Sequence, residues 1–235
     1  MHRTVALALA LLLLGGCNGA AREAQPKFPP ADRAVAPIIS SRWSNEESRD
    51  RVDEADKVMD LAGLDPGMTA ADIGAGEGYY TIRLAERVGK KGRVLAQDIV
   101  PAVRDKLAER VNRERLDNVS VKLGEPGNPM LPHKSFDRVL MIHMYHEIAS
   151  PYEFLWHLHP ALKAGGRVII VDADRPTSDH GTPPLLLQCE MQAVGFRLVE
   201  FQQAAFAGGY FAAFDAGAKR PAPAAIRPCA LAKKR

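Results

Sequence analysis

The stretch that decides the fold is Asp72-Ile73-Gly74-Ala75-Gly76-Glu77-Gly78-Tyr79-Tyr80-Thr81. A short apolar run at 69–74 leads into it and an amphipathic stretch at 79–88 leads out, so the glycines fall at a strand-to-helix turn. Glycine lets the backbone turn sharply and approach a ligand without Cβ clashes, and the opening turn of a helix leaves N–H groups free to donate. Working outward, the same alternation recurs. A strand is expected over 93–98 and a helix over 101–115, with Pro101 in its first turn. A third strand follows over 119–124 and a fourth over 136–143, whose Val139-Leu140-Met141-Ile142 run is apolar throughout, as a strand covered on both faces should be. A helix over 152–163, closed by Gly165-Gly166, precedes a fifth strand at 167–172. A helix over 184–194, ended by Gly195, precedes strands at 196–201 and 209–214. Repeated strand-helix units imply a parallel sheet. The last two strands have no helix between them and must pair as an antiparallel hairpin.

The chain has 235 residues, of which 46% are hydrophobic and 25% charged, enough for one sizeable core. Its formal net charge of +3 is carried by the ends. Residues 216–235 hold six basic residues and no acid. Without those six and Arg3, 24 bases face 28 acids over 17–215, a net charge near −4. A mildly acidic body excludes a nucleic-acid stripe.

The N-terminus reads as a targeting segment. His2 and Arg3 precede an apolar run from Val5 to Leu14, too short to span a bilayer, followed by Leu14-Gly15-Gly16-Cys17. Those four residues resemble a lipobox, which implies a lipoprotein signal peptide over 1–16 and lipidation of Cys17. Asn18 is not the aspartate that resembles an inner-membrane retention signal, so a periplasmic, outer-membrane-anchored protein is expected. Residues 17–40 carry Pro26, Pro29, Pro30 and Pro37 and read as a Pro-rich tether. The domain is expected over 41–215. Residues 216–235 read as a basic, disordered tail. Cys189 and Cys229 are either a disulfide or two free thiols, and no Cys/His spacing of the zinc type is present, so no metal is expected.

The glycine-rich turn resembles the first motif of class I S-adenosylmethionine (SAM)-dependent methyltransferases, an acid followed by alternating glycines. A dinucleotide fingerprint would need glycine where this chain has Tyr79. The resemblance covers roughly 41–214 and implies an α/β, Rossmann-like methyltransferase fold with a mostly parallel seven-stranded sheet and a C-terminal antiparallel hairpin. It also implies SAM as cofactor, held by Asp72, Gly74, Ala75, Gly76, Gly78 and Tyr80 around the first turn. Asp98 closes the second strand at the spacing where an acid meets a ribose, with Ile99 beside it. Glu125 stands near the family's acidic position at the adenine amine, where Asp is usual, and His143 at the end of the fourth strand. No motif identifies the methyl acceptor.

Ligands of open α/β sheets bind beyond the carboxyl ends of the strands, where strand order reverses. The segment His143-Met144-Tyr145-His146-Glu147 is therefore expected at the cleft. Tyr145, His146 and Glu147 are the candidate acid-base residues for taking a proton from an incoming nucleophile. Asp172, Asp174, Arg175 and His180 are second-rank candidates for substrate contacts. Because SAM is made in the cytoplasm and the signal exports the chain, a non-catalytic nucleoside-binding module on the same fold is the competing reading. The expected partners are a small-molecule or surface-associated acceptor and, through the lipid, a membrane; no nucleic acid is expected.

Overall fold

A computed structural model describes residues 27–38, 45–217 and 219–229. The expected signal peptide and Cys17 lie outside these residues. No helix among the described residues is long and apolar enough to cross a membrane.

The strands are β1 (Thr69–Ile73), β2 (Arg93–Asp98), β3 (Val119–Leu123), β4 (Phe136–Ile142), β5 (Leu162–Asp172), β6 (Arg197–Ala204) and β7 (Gly209–Asp215). The helices are α1 (Glu46–Asp50), α2 (Glu54–Leu61), α3 (Tyr79–Val88), α4 (Pro101–Arg113), α5 (Pro151–Leu158) and α6 (Pro184–Ala193). One sheet runs in the order β3-β2-β1-β4-β5-β7-β6, parallel except that β7 pairs antiparallel with both β5 and β6. The hairpin of the last two strands is thus present, with β7 folded back inside β6. Strand order reverses between β1 and β4, which opens a crevice at their carboxyl ends.

The apolar run of β4 has the two-sided cover that its composition requires. Val139 and Met141 join the core beneath α5 and α6, while Leu140 joins the core beneath α2 and α3. Val168 and Ile170 of β5 face the first side, and Ile169 and Val171 the second. A strand buried on both faces cannot show a period of two.

Three expectations are corrected. The helix expected to reach residue 163 ends at Leu158 and gives way to a 3₁₀ turn, His159–Ala161, and then to β5. Pro160 lacks the N–H that a continuing helix needs, and Leu162 pairs with Phe136 instead. The Pro-rich segment is no free tether over 27–38. It packs along the domain, with Phe28 edge-on to Trp156 at 5.5 Å and Ala36 N–H donating to the carbonyl of His146 at 3.3 Å. The basic tail is likewise docked over 219–229. Arg220 lies 3.3 Å above the Trp156 ring, Ile226 is buried, and Cys229 forms a disulfide with Cys189 of α6. An arginine stacked on an indole and a cross-link to a core helix offset the ordering entropy that composition alone left unopposed.

Candidate functional site

The crevice at the strand ends holds a cavity of about 520 Å³, a size that suits a nucleoside-bearing cofactor with room for a small acceptor. Its cofactor-side wall comes from the turn after β1 and from the end of β2. Gly74, Ala75, Gly76, Gln97, Asp98 and Ile99 line it. Asp98 is fixed by its own loops: Oδ2 accepts the Gly76 N–H at 3.1 Å and Oδ1 the Val100 N–H at 2.9 Å. Each oxygen keeps a further lone pair, so the carboxylate can accept from two vicinal hydroxyls.

Beside it Gln97 was not singled out from sequence. Its amide nitrogen is buried and has no hydrogen-bond partner among the described residues. Gly124 makes space for that amide, since a Cβ there would stand 1.4 Å from Gln97 Nε2. Ile99, Pro126 and Phe154 add an apolar surface suited to a flat base. The residues present therefore fit SAM: a carboxylate with lone pairs left for ribose hydroxyls and an apolar slot share one cavity.

Other expected cofactor residues act from behind this wall. Asp72 is buried and accepts the Thr81 hydroxyl at 2.6 Å, tying the strand end to the first turn of α3. Burial pushes its carboxyl up to about 6 despite that bond. Gly78 is required by helix packing, because a Cβ there would meet Leu107 Cδ1 at 2.5 Å and its φ is +92°. Tyr80 points away and donates to Glu54 at 3.0 Å; its neighbour Tyr79 is the one that lines the cavity. Glu125 is exposed, and Pro126 reaches the cavity in its place.

The rest of the wall is made by α1 and the loop after β4. Asn45, Glu46 and Arg49 line the cavity from α1 and its N-cap, a short helix with no buried residue and no apolar period to mark it in the sequence. Ion pairs hold it there. Arg110 of α4 binds Glu46 at 2.5 Å and the Glu77 carbonyl at 2.9 Å, and Arg83 of α3 binds Asp50 at 2.5 Å. Tyr79 is sandwiched between the guanidiniums of Arg49 and Arg83 at 3.8 and 3.9 Å. His143 lines the cavity with a left-handed backbone (φ 56°), uncommon outside glycine. Its Nε2 lies 3.5 Å from Glu54. Burial alone would raise the Glu54 carboxyl, but bonds from His143 and Arg49 outweigh it and hold the group at about 2.

Of the three acid-base candidates, Glu147 lines the cavity and the other two do not. Tyr145 is fully buried with its hydroxyl donating to Glu190 at 2.7 Å. His146 is also fully buried, its Nδ1 3.0 Å from Asp172. The 3₁₀ turn Tyr145–Glu147 explains this, since three residues per turn send neighbouring side chains in different directions. That turn is held by Arg33 of the N-terminal segment, which pairs with Glu190 at 2.9 Å, both side chains buried, and donates to the Ile148 carbonyl at 3.1 Å. Asp174, Arg175 and His180, in the loop after β5, do not line the cavity, and Asp172 is buried beneath it.

A family model described as a methyltransferase domain matches residues 64–205, more than half of the chain. The chain belongs to the methyltransferase-domain family. Among solved structures, a SAM-dependent methyltransferase from Aquifex aeolicus aligns with a TM-score of 0.62 at 25% identity, over 73% of this chain and 97% of that one. Among curated relatives, the nocamycin O-methyltransferase of Saccharothrix syringae is 42% identical over 86 residues, 36% of this chain and 30% of its own length. The ubiquinone/menaquinone biosynthesis C-methyltransferase of Hydrogenovibrio crunogenus is 28% identical over 126 residues, 51% of this chain and 48% of its own length. The chain thus spans between about a third and a half of these two curated relatives. SAM is the cofactor of this domain.

Proposed function

We propose that this chain transfers a methyl group from SAM to a small or surface-associated acceptor, as a periplasmic protein anchored to the outer membrane through lipidated Cys17. The observation that carries the catalytic part is a single cavity lined by Asp98 and Gln97 on one side and by His143 and Glu147 on the other. Bound SAM supplies an already activated methyl, so the protein's remaining tasks are to orient the acceptor and to take its proton. Glu147 and His143, on the wall just past β4, are basic groups that can do the second. The curated relatives include both an O- and a C-methyltransferase, so the acceptor atom does not follow from them. The anchor is carried by the Leu14-Gly15-Gly16-Cys17 sequence.

Two measurements test the reading. Release of S-adenosylhomocysteine is followed across phenols, amines, thiols and lipid head groups; turnover on at least one class is expected, and SAM binding without turnover on any would favour a binding module. Metabolic labelling with palmitate should mark the parent and not Cys17→Ser; equal labelling of both removes the anchor.

A further inference from the structure

Behind the Glu147 wall of the cavity, three side chains converge that no step above uses in combination. A ring nitrogen of His146, a carboxylate oxygen of Glu147 and a ring nitrogen of His180 all lie within 4.8 Å of one another. The two imidazoles meet edge to face, with centroids 5.4 Å apart.

The environment of His146 sets which of its nitrogens is left to take a ligand. Asp172 already accepts the Thr182 hydroxyl at 2.7 Å and the Ala173 N–H at 2.9 Å, the pattern of an ionised carboxylate. Its oxygens lie 3.0 and 3.1 Å from His146 Nδ1, so Nδ1 carries the proton and donates. That leaves Nε2 with its lone pair. Nε2 is buried on a fully buried residue and has no hydrogen-bond partner among the described residues. A carboxylate behind a histidine whose other nitrogen is left bare is the orienting arrangement that metal-binding histidines use.

The third donor is placed as firmly. His180 takes a left-handed backbone (φ 50°) after the turn Thr177–Asp179. On one side the Thr177 hydroxyl binds the Ala34 carbonyl at 2.6 Å; on the other Thr182 N–H binds the Ala173 carbonyl at 2.8 Å.

We infer that His146, Glu147 and His180 form a site for one divalent transition-metal ion of the zinc type, with Asp172 orienting His146. Two imidazole nitrogens and one carboxylate are a three-ligand set that leaves a fourth position for water or a substrate atom. Ligands at about 2.0–2.2 Å from a tetrahedral ion stand roughly 3.3–3.6 Å apart, so side-chain shifts of about an ångström close the triangle. Glu147 belongs to both the cluster and the cavity wall, which puts the ion at the edge of the acceptor space. Its use there, lowering the pKa of an acceptor hydroxyl or thiol, rests on the methyl-transfer reading; its binding does not. The zinc-type spacing considered in the sequence does not cover this arrangement, because His180 comes from a different strand end.

The test is metal binding. The full chain without affinity tag is stripped with chelator and titrated with Zn²⁺ against a chromophoric competitor, alongside His180→Asn, Glu147→Gln and Asp172→Asn. Asn tolerates the left-handed backbone at 180, and SAM titration of each variant checks its fold. The parent should take up one tight equivalent. His180→Asn and Glu147→Gln should each weaken it at least 100-fold, and Asp172→Asn 10–100-fold. A parent without a tight equivalent, or variants that bind Zn²⁺ as well as the parent, would overturn the site whether or not the protein methylates anything.

Discussion

The two sides of the cavity are built on different plans. The cofactor side consists of residues close in sequence at the ends of β1 and β2, with Asp98 bonded to the turn it faces. The acceptor side is collected from afar. Arg33 reaches Glu190 across 157 positions, Tyr145 reaches the same carboxylate across 45, and His146 reaches Asp172 across 26. A wall made of strand ends inherits its rigidity from the sheet, whereas a wall made of a 3₁₀ turn must be held by buried polar contacts. We propose on this basis that affinity for the common cofactor and selection of the particular acceptor are mechanically separable.

The largest expected effect falls on chemistry. Glu147→Gln should lower turnover by about 10²–10⁴ while SAM affinity, read by calorimetry, stays within about twofold. A parallel loss of SAM binding would mean that the two sides are not separable. Next comes the strap. Arg33→Ala leaves Glu190 buried without its cation and should cost about 3–5 kcal/mol in urea unfolding. A cost under about 1 kcal/mol would show that residues 27–38 do not brace the acceptor side. Cys229→Ser, which frees the docked tail, should lower stability by about 2–4 kcal/mol, with SAM affinity unchanged. A thermal midpoint equal to the parent's would sink that assignment.

The smallest effect sits under the cofactor side and is a slope. Asp72 titrates at about 6 in the fold against 3.8 for an ordinary aspartate. The folded state therefore binds the proton more tightly, and the stability it confers is present below about pH 4 and declines as pH rises toward 6. Asp72→Asn should flatten that decline, as followed by urea midpoints across pH 4–7. A midpoint profile still falling in parallel with the parent's would place the titration elsewhere.

The contrast also explains what could be read without coordinates. The strand positions, the hairpin and the cavity residues Gly74, Gly76, Asp98 and Ile99 follow from local patterns: glycines at one turn, an acid at a strand end. His143 and Glu147 could be brought to the cleft because they stand just past β4. Tyr145 and His146 could not be turned away from it, since only the 3₁₀ geometry and the partners Glu190 and Asp172 send them inward. Residues 27–38 and 219–229 look unstructured by composition because their order comes from Glu190, Trp156 and Cys189 elsewhere in the chain. Gln97 left one usable trace, the glycine opposite it at 124, though one glycine after a strand has many explanations.

The most direct test of the account is calorimetric titration of SAM into the parent and into Asp98→Ala. The parent should bind one equivalent. The variant, having lost charge-assisted ribose bonds of about 1.5–3 kcal/mol, should bind at least tenfold more weakly with its fold intact. A parent that does not bind SAM, or a folded variant that binds it equally well, would contradict the placement of the cofactor at the ends of β1 and β2.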